Sequence, residues 1–335
     1  FFKRKRSGIP ATPTDIIYPY EAGYSVQKQN LNSDQVSGID GMVRWNDRVN
    51  DFNYFVGVNL TLARQKTINN YGEVFLNGWD QYRWAQTNRW SNVKNGAVWM
   101  WETIGVFQTQ EEIDNYPVNI DGANNVNLRP GDLIFKDVNG DGLIDDYDKR
   151  PLGYAATDYD WDSGNANKNP LLSMGINLGF EYKGIDFAAD FAGGFMNTFI
   201  GDWHVKYGIG TDQMGYVYNV IDSWQHEDIF DTKSPWKRGK FPAVRSNNPS
   251  IRDWNDFYAK EINYLRLRNL VVGYTLPIKW TKKALIQKLR VYFEGSNLLC
   301  WDSLNDFGFD PEISSVTGFD YPQHKVYTVG VNVTF

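Results

Sequence analysis

The feature that most constrains what this chain can fold into is strict alternation of apolar and polar residues over long runs. Leu172, Met174, Ile176, Leu178 and Phe180 fall on one face, while Ser173, Gly175, Asn177 and Gly179 fall on the other. After Lys183–Gly184 the alternation resumes through Ile185, Phe187, Ala189 and Phe191. A period of two marks a strand with one face against an apolar phase, and the two runs read as a hairpin joined by a tight turn. The same grammar recurs at 53–65, 289–299 and 325–335, and at 266–277, where Pro277 ends a ladder to which it cannot donate. The expected fold class is all-β and antiparallel.

Run length narrows this further. Strands of soluble sandwiches average about 5–6 residues, whereas these runs reach roughly 10–13, the length that crosses a bilayer at a tilt. Their polar faces carry Gly, Asn, Thr and Ser, which suit a wet lumen. Long irregular segments at 68–97, 109–169 and 198–258 alternate with short turns at 46–51 and 182–185. Short turns on one rim and long loops on the other describe a transmembrane β-barrel, and loops this long tend to be functional. Short helices are expected at 109–116, with Thr109 as the cap and Glu111 and Glu112 suiting the N-terminal dipole, and at 218–227. No run of apolar residues is long enough for a transmembrane helix.

Composition excludes several functions. A net charge of -6 argues against nucleic acid as a partner. The one basic cluster, "KRKR" at 3–6, reads as a solvated strand face or a headgroup anchor. A single cysteine, Cys300, rules out an internal disulfide framework. The opening "FFKRKRSGIP" is unlike a signal peptide and is read as part of a longer or processed polypeptide. His204, His226 and His324 are isolated, with no zinc spacing, and no nucleophile elbow, phosphate loop or dinucleotide fingerprint occurs, so no catalytic residue is nominated and the chain is not expected to be an enzyme. Aromatic residues reach 16%, with 13 Trp. Trp79, Trp84, Trp90, Trp99 and Trp101 cluster around one long segment, and Trp203, Trp224, Trp236 and Trp254 around another. Such rings serve membrane girdles and loop packing or stack on sugars, and no individual tryptophan is singled out as substrate-binding.

One loop has metal-ligand spacing. In "DVNGDGLIDDYD", Asp137, Asn139 and Asp141 occupy positions one, three and five of a calcium loop, Gly142 takes the turn, the carbonyl of Leu143 supplies position seven, and Asp145 and Asp148 fall at nine and twelve. A hard cation wants six to eight oxygens, and alternate residues of a tight loop can all point inward. Asp rather than Glu at position twelve shortens the reach. The flanks, "PGDLIFK" and "KRPLGYAA", are not those of an EF-hand, so a structural Ca2+ rather than a sensor is expected.

These segments together carry a resemblance. "RPGDLIFKDVNGDGLIDDYDKRPLGY" (129–154) and "NPLLSMGINLGFEYKGIDFAADFAG" (169–193) resemble the C-terminal barrel region of SusC/RagA-like TonB-dependent outer-membrane transporters. So do "FYAKEINYLRLRNLVVGYTLP" (257–277), "LRVYFEGSNLLCW" (289–301) and "GFDPE" (308–312) leading into "YPQHKVYTVGVNVTF" (321–335). The resemblance is strong over 98–335 and one of style only before that. It implies the C-terminal part of a transmembrane barrel of about 22 strands, with residues 1–335 a portion of one barrel, 109–169 a long extracellular loop region, and the plug domain outside this chain. It also implies a cell outer-membrane location, import of glycans or oligopeptides, and partnership with a SusD-like surface lipoprotein, the TonB complex, the remainder of the barrel and plug, and outer-membrane lipid. Within it, Tyr327, Val329, Val331, Val333 and the final Phe335 form the alternating terminal strand expected of a barrel-assembly signal. Two rival readings share the period of two, the aromatic load and the metal loop: a secreted calcium-stabilised glycan-binding β-sandwich and a glycoside hydrolase domain.

Overall fold

The computed structural model describes residues 1–13, 23–69, 98–153, 170–200, 221–245, 248–251, 255–304, 310–312 and 323–335, with a few isolated positions between them. Eight long strands form one sheet: β1 (Phe2–Ala11), β2 (Gln29–Val49), β3 (Phe52–Asn69), β4 (Leu172–Tyr182), β5 (Ile185–Ile200), β6 (Ala259–Thr275), β7 (Lys288–Asp302) and β8 (Val326–Thr334). Every strand pairs antiparallel with its neighbour in the sequence, so the wall is a simple meander with β1 and β8 at its edges. The expected hairpin is present in full register, from Leu172 opposite Phe195 to Tyr182 opposite Ile185.

Register keeps one apolar face continuous across the wall. Trp45, Val56, Leu178, Ala189, Leu270 and Gly295 lie on a single hydrogen-bonded row, and Val43, Val58, Ile176 and Phe191 on the next. A slip of one residue anywhere would move a whole apolar set to the polar face. Nothing in the described residues packs on this face: Val58 is 37% exposed, Val272 40% and Val331 56%. A soluble sheet buries its apolar side against a second layer. The remaining strands form only two-stranded pieces, so the second sheet that a sandwich requires has no counterpart among the described residues.

The connections alternate as expected. Val49 to Phe52, Tyr182 to Ile185 and Thr275 to Lys288 turn at one rim, and every other link between wall strands lies at the opposite rim. The first turn is tighter than the sequence implied. β2 runs on through Val49, leaving Asn50 (φ 55) and Asp51 to reverse the chain where a turn over 46–51 was expected. Asn tolerates the left-handed region that a two-residue hairpin demands, and Lys183 (φ 47) with Gly184 (φ 87) meets the same demand at the second turn.

A compact cap stands at the long-connection rim. Its core comprises Trp101, Phe107, Ile113, Ile120, Leu128, Leu133, Ile134, Phe135 and Ile144, closed by Tyr258, Ile262 and Leu304 from the ends of β6 and β7. The helix expected at 109–116 is there as α1 (Gln110–Asp114), with the Thr109 hydroxyl accepting from the Glu112 amide and Ile113 buried beneath it. The helix expected at 218–227 is corrected: residues 221–227 are not helical, and Gln225–His226 pair in a small hairpin with Trp236–Lys237. Trp224 donates its backbone N–H to the Phe241 carbonyl, so tertiary pairing overrides the local helical pattern. No described helix is long and apolar enough to cross a membrane.

Candidate functional site

The polar face of the wall is built from glycines that make room for their neighbours' side chains. Gly273 separates Asp186 on β5 from Arg290 on β7, and a Cβ at Gly273 would lie 2.5 Å from the Asp186 carboxylate and 2.6 Å from the Arg290 guanidinium. Those two groups pair across the bare strand, Arg290 Nε donating to Asp186 Oδ1 at 2.9 Å. The guanidinium also lies 4.8 Å from the Tyr292 ring centre. Asn177 donates to Asp190 at 2.7 Å, Thr61 donates to Asp40 at 2.8 Å, and Arg44 sits 5.1 Å from the centre of the Phe55 ring. Asp186 and Arg290 thus pair laterally across the sheet, while Asp40 and Asp190 are held by neutral Thr61 and Asn177, so the face is hydrophilic and carries charge of both signs.

One polar cluster went unrecognised in the sequence. Arg266 on β6 donates to both carboxylate oxygens of Asp310, at 2.6 and 2.7 Å, and its Nε lies 2.8 Å from Glu312. Arg268 donates to Glu312 as well and reaches Gln323 at 3.1 Å. Arg268 sits at a register shift between Leu267 and Asn269, a bulge of the kind that re-aims a side chain. The "DPE" of 310–312 is thereby held against the wall by two arginines. The available signal was two arginines inside an apolar strand, which require acidic partners somewhere in the fold.

The cap joins two distant segments. Asp132 is fully buried and takes a two-pronged contact from Arg245, with Arg245 Nη1 donating to Oδ1 at 2.7 Å. Burial pushes the Asp132 carboxyl up, and Arg245 and the Arg129 amide oppose that push. Ser250 accepts the Leu133 amide at 2.8 Å. Gly131 (φ 94) is covered by Trp224, where a Cβ would meet the indole at 2.4 Å. Trp101 is 2% exposed, stacks near Phe135, and donates its indole N–H to the Asp145 carbonyl at 2.8 Å.

That last bond pins the calcium-type loop to the cap core. Within the loop, Asp137 accepts the amides of Gly140 (2.6 Å) and Gly142 (2.8 Å), Asn139 accepts that of Asp141 (3.0 Å), and Asp141 accepts that of Leu143 (2.9 Å). Asp145 caps the short 3-10 turn at Asp146–Asp148, and Asp148 returns the favour by accepting the Asp145 amide at 2.9 Å and the Val138 amide at 2.8 Å. Asp148 is fully buried. Burial pushes its carboxyl up, three amides oppose this, and Asp137 adds to it. Leu143 bridges to Asn119, whose N–H donates to the Gly142 carbonyl and whose carbonyl accepts the Ile144 amide across the two loops. The donor set suits a hard cation chemically, since a carboxylate oxygen holding one N–H keeps a second lone pair. The side chains are satisfied by one another and by amides, and no three acidic, His or Cys groups converge into a metal-holding cluster among the described residues.

The other sequence-derived candidates separate cleanly. Tyr327, Val329, Val331 and Val333 lie on one face of β8, opposite Gly295, Phe293, Val291 and Leu289 of β7, and Phe335 ends the chain 78% exposed. Trp101 and Trp224 are buried structural residues, and Trp236 packs 4.0 Å from the His226 ring. Trp79, Trp84, Trp90, Trp203, Trp254 and His204 lie outside the described residues, and Trp99 is placed by its backbone alone, opposite Pro151. The basic cluster at 3–6 is an exposed stretch of β1 in which Arg6 pairs with Asp34.

Comparison with known proteins shows what this wall is similar to. No family model matches the sequence. TonB-dependent receptor P3 of Formosa agariphila is 25% identical over 352 residues, spanning 96% of this chain and 31% of the receptor. TonB-dependent receptor P26 of the same organism is 24% identical over 341 residues, with the same shares. The chain is homologous to TonB-dependent receptors. It spans about a third of the length of the curated relatives it matches, and the likeness reaches residues 1–97, where the sequence offered only a similarity of style. The fold matches a portion of the RagAB peptide transporter at a TM-score of 0.61 and 19% identity, covering 99% of this chain and 32% of that one. The RagAB importer in its "closed-closed" state matches at 0.60 and 20%. The wall thus has the fold of part of the RagAB transporter's barrel.

Proposed function

We propose that this chain is the C-terminal portion of an energy-coupled outer-membrane importer, and that it supplies wall strands, a polar lumen lining and an external cap. The observation that carries the reading is the apolar face, uncovered among the described residues and continuous from β2 to β8, with short turns confined to one rim. Such a face is stable only against lipid, and open edges are not tolerated there, so the strands that complete the barrel come from the rest of the polypeptide together with the plug. The loop region 109–169, whose residues 109–153 belong to the cap, then lies outside the cell. It meets substrate together with a SusD-like lipoprotein, while TonB displaces the plug from the periplasmic side. The cargo is a glycan or an oligopeptide, matched to a lining of Asn, Thr and paired charges, and the chain performs no chemistry on it. The test is purification of the intact protein from outer membranes. A barrel extractable only in detergent, together with a co-purifying lipoprotein and uptake of labelled oligosaccharide or oligopeptide that stops when the TonB system is removed, is expected; a soluble monomer overturns the reading.

We also propose that the loop 137–148 takes a structural calcium. Asp137, Asn139, Asp141, Asp145 and Asp148 would hold it with the Leu143 carbonyl, and the ion would offset the charge of the crowded acids. Elemental analysis of the purified protein should find calcium, and chelation should speed hydrogen exchange at the Gly140 and Gly142 amides. No metal and unchanged exchange would sink this proposal.

A further inference from the structure

On the short-turn rim one link differs from the others. Where β2–β3 and β4–β5 are joined by tight two-residue turns, β6 and β7 are joined by residues 276–287, which fold into a short helix (Ile278–Thr281) and a 3-10 turn (Lys282–Ala284). The side chains of this ledge divide into two kinds. Ile278 is 59% exposed, Trp280 66% and Leu285 83%, whereas Thr281 is buried and tethers the ledge through its carbonyl, which accepts the Ile286 amide. Lys279, Lys282 and Lys283 are all exposed, and none has an ion-pair partner among the described residues. No acidic residue occurs between Leu276 and Phe293 in a chain whose net charge is -6. The ledge is therefore a local reversal of the protein's charge, interleaved with apolar side chains that face solvent.

The ledge continues the apolar face of the wall. Leu276 bonds to the Leu289 carbonyl, Tyr274 sits opposite Val291, Leu289 sits opposite Val333, and Phe335 ends the chain at the same rim. The same rim carries a band of contacting rings, with Phe52 5.4 Å from Phe180 and 6.1 Å from Tyr182, and Phe180 5.3 Å from Phe187. Aromatic rings collect where hydrocarbon meets headgroup, and lysines beside them extend their ammoniums to that level.

We infer that the 276–287 ledge is a lipid-binding surface that takes the phosphates of anionic phospholipids in the leaflet on the short-turn side, with Trp280, Ile278 and Leu285 entering the headgroup boundary and Lys279, Lys282 and Lys283 holding the phosphates. It rests on the membrane reading above, and adds a fixed docking level and a lipid preference. An interfacial segment gains from apolar contact and from attraction to anionic headgroups together, and this ledge offers both within one turn and a half of chain.

The test uses the full-length protein carrying this chain, in a Cys300→Ser background, reconstituted into vesicles of phosphatidylethanolamine and phosphatidylglycerol at 3:1. A nitroxide label at Trp280→Cys should be relaxed more by oxygen than by a water-soluble nickel chelate, and so should a label at Tyr274→Cys on the wall. If the label at 274 is in lipid and that at 280 is in water, this inference fails and the ledge is left for a soluble partner. If both are in water, the membrane reading itself fails. Replacing the three lysines by Gln should remove the enrichment of phosphatidylglycerol among co-purifying lipids, returning it to about its share of the vesicle, while heat-modifiable migration of the folded barrel is retained. Unchanged enrichment in that folded variant overturns the assignment to phosphates.

Discussion

The wall and the cap bury apolar side chains by opposite means. In the cap, Phe107, Leu128 and Leu133 are wholly inaccessible and sit inside a conventional core. In the wall, residues of the same kinds form a face that nothing among the described residues covers, and Val329 is 75% exposed. In the proposed barrel the two regions are stabilised by different solvents. The cap's apolar residues leave water by meeting one another, whereas the wall's would leave water in a bilayer, and its backbone is satisfied by ladder bonds in either setting.

That contrast can be broken by substitution. Phe107→Ala should cost about 3–5 kcal/mol in cap stability, seen as faster hydrogen exchange at residues 133–135 with wall amides unchanged; equal loosening of the wall would mean that the two regions are one cooperative unit. Val58→Arg, in the middle of β3 on the apolar face, should cost about 2–4 kcal/mol when the barrel folds into vesicles, whereas Asn59→Arg on the polar face should stay within about 0.5 kcal/mol. Similar costs for both would refute the assignment of faces. In the cap, Thr109→Ala should cost about 1 kcal/mol through loss of the α1 cap, measured as increased exchange at the Glu112 amide.

Acid gives a finer contrast. Burial acts to raise the Asp121 carboxyl, but the amides of Asn127, Ala123 and Asn125 outweigh it and hold the group below its ordinary value. A depressed carboxylate contributes stability that is present above the unfolded value of about 3.9 and lost as pH falls through the lower folded one. Protection of the amides at 123, 125 and 127, corrected for intrinsic exchange, should therefore decline below about pH 4, and Asp121→Asn should remove that dependence. Protection that holds constant through this range would show that the carboxylate is not what orders the 121–127 loop.

How much of this was readable in advance differs between the two regions for a physical reason. The hairpin at 172–191, the faces of β3 and β6, and the placement of long and short links follow from alternation and local turn chemistry, which are properties of neighbouring residues. The cap was legible only in fragments. Thr109 announced α1 because a cap is a local device, and the spacing of Asp137, Asn139 and Asp141 announced a tight loop. Residues 221–227 misled because their local pattern was overruled by pairing with 236–241. The Arg245–Asp132 contact spans 113 residues and that of Arg266 with Asp310 spans 44, and no local periodicity encodes either partner.

The sequence by itself determined that this chain is a meander of long amphipathic strands with an apolar face too extended for a soluble sheet, since strand period and length are written in consecutive residues. The tertiary structure alone decided that 98–153 and the described residues of 221–262 are one cap, that the bare strand at Gly273 lets Asp186 meet Arg290, and that two arginines hold the 310–312 segment to the wall. Those outcomes depend on which distant groups meet, and burial makes a partner obligatory without stating in the sequence which one it will be.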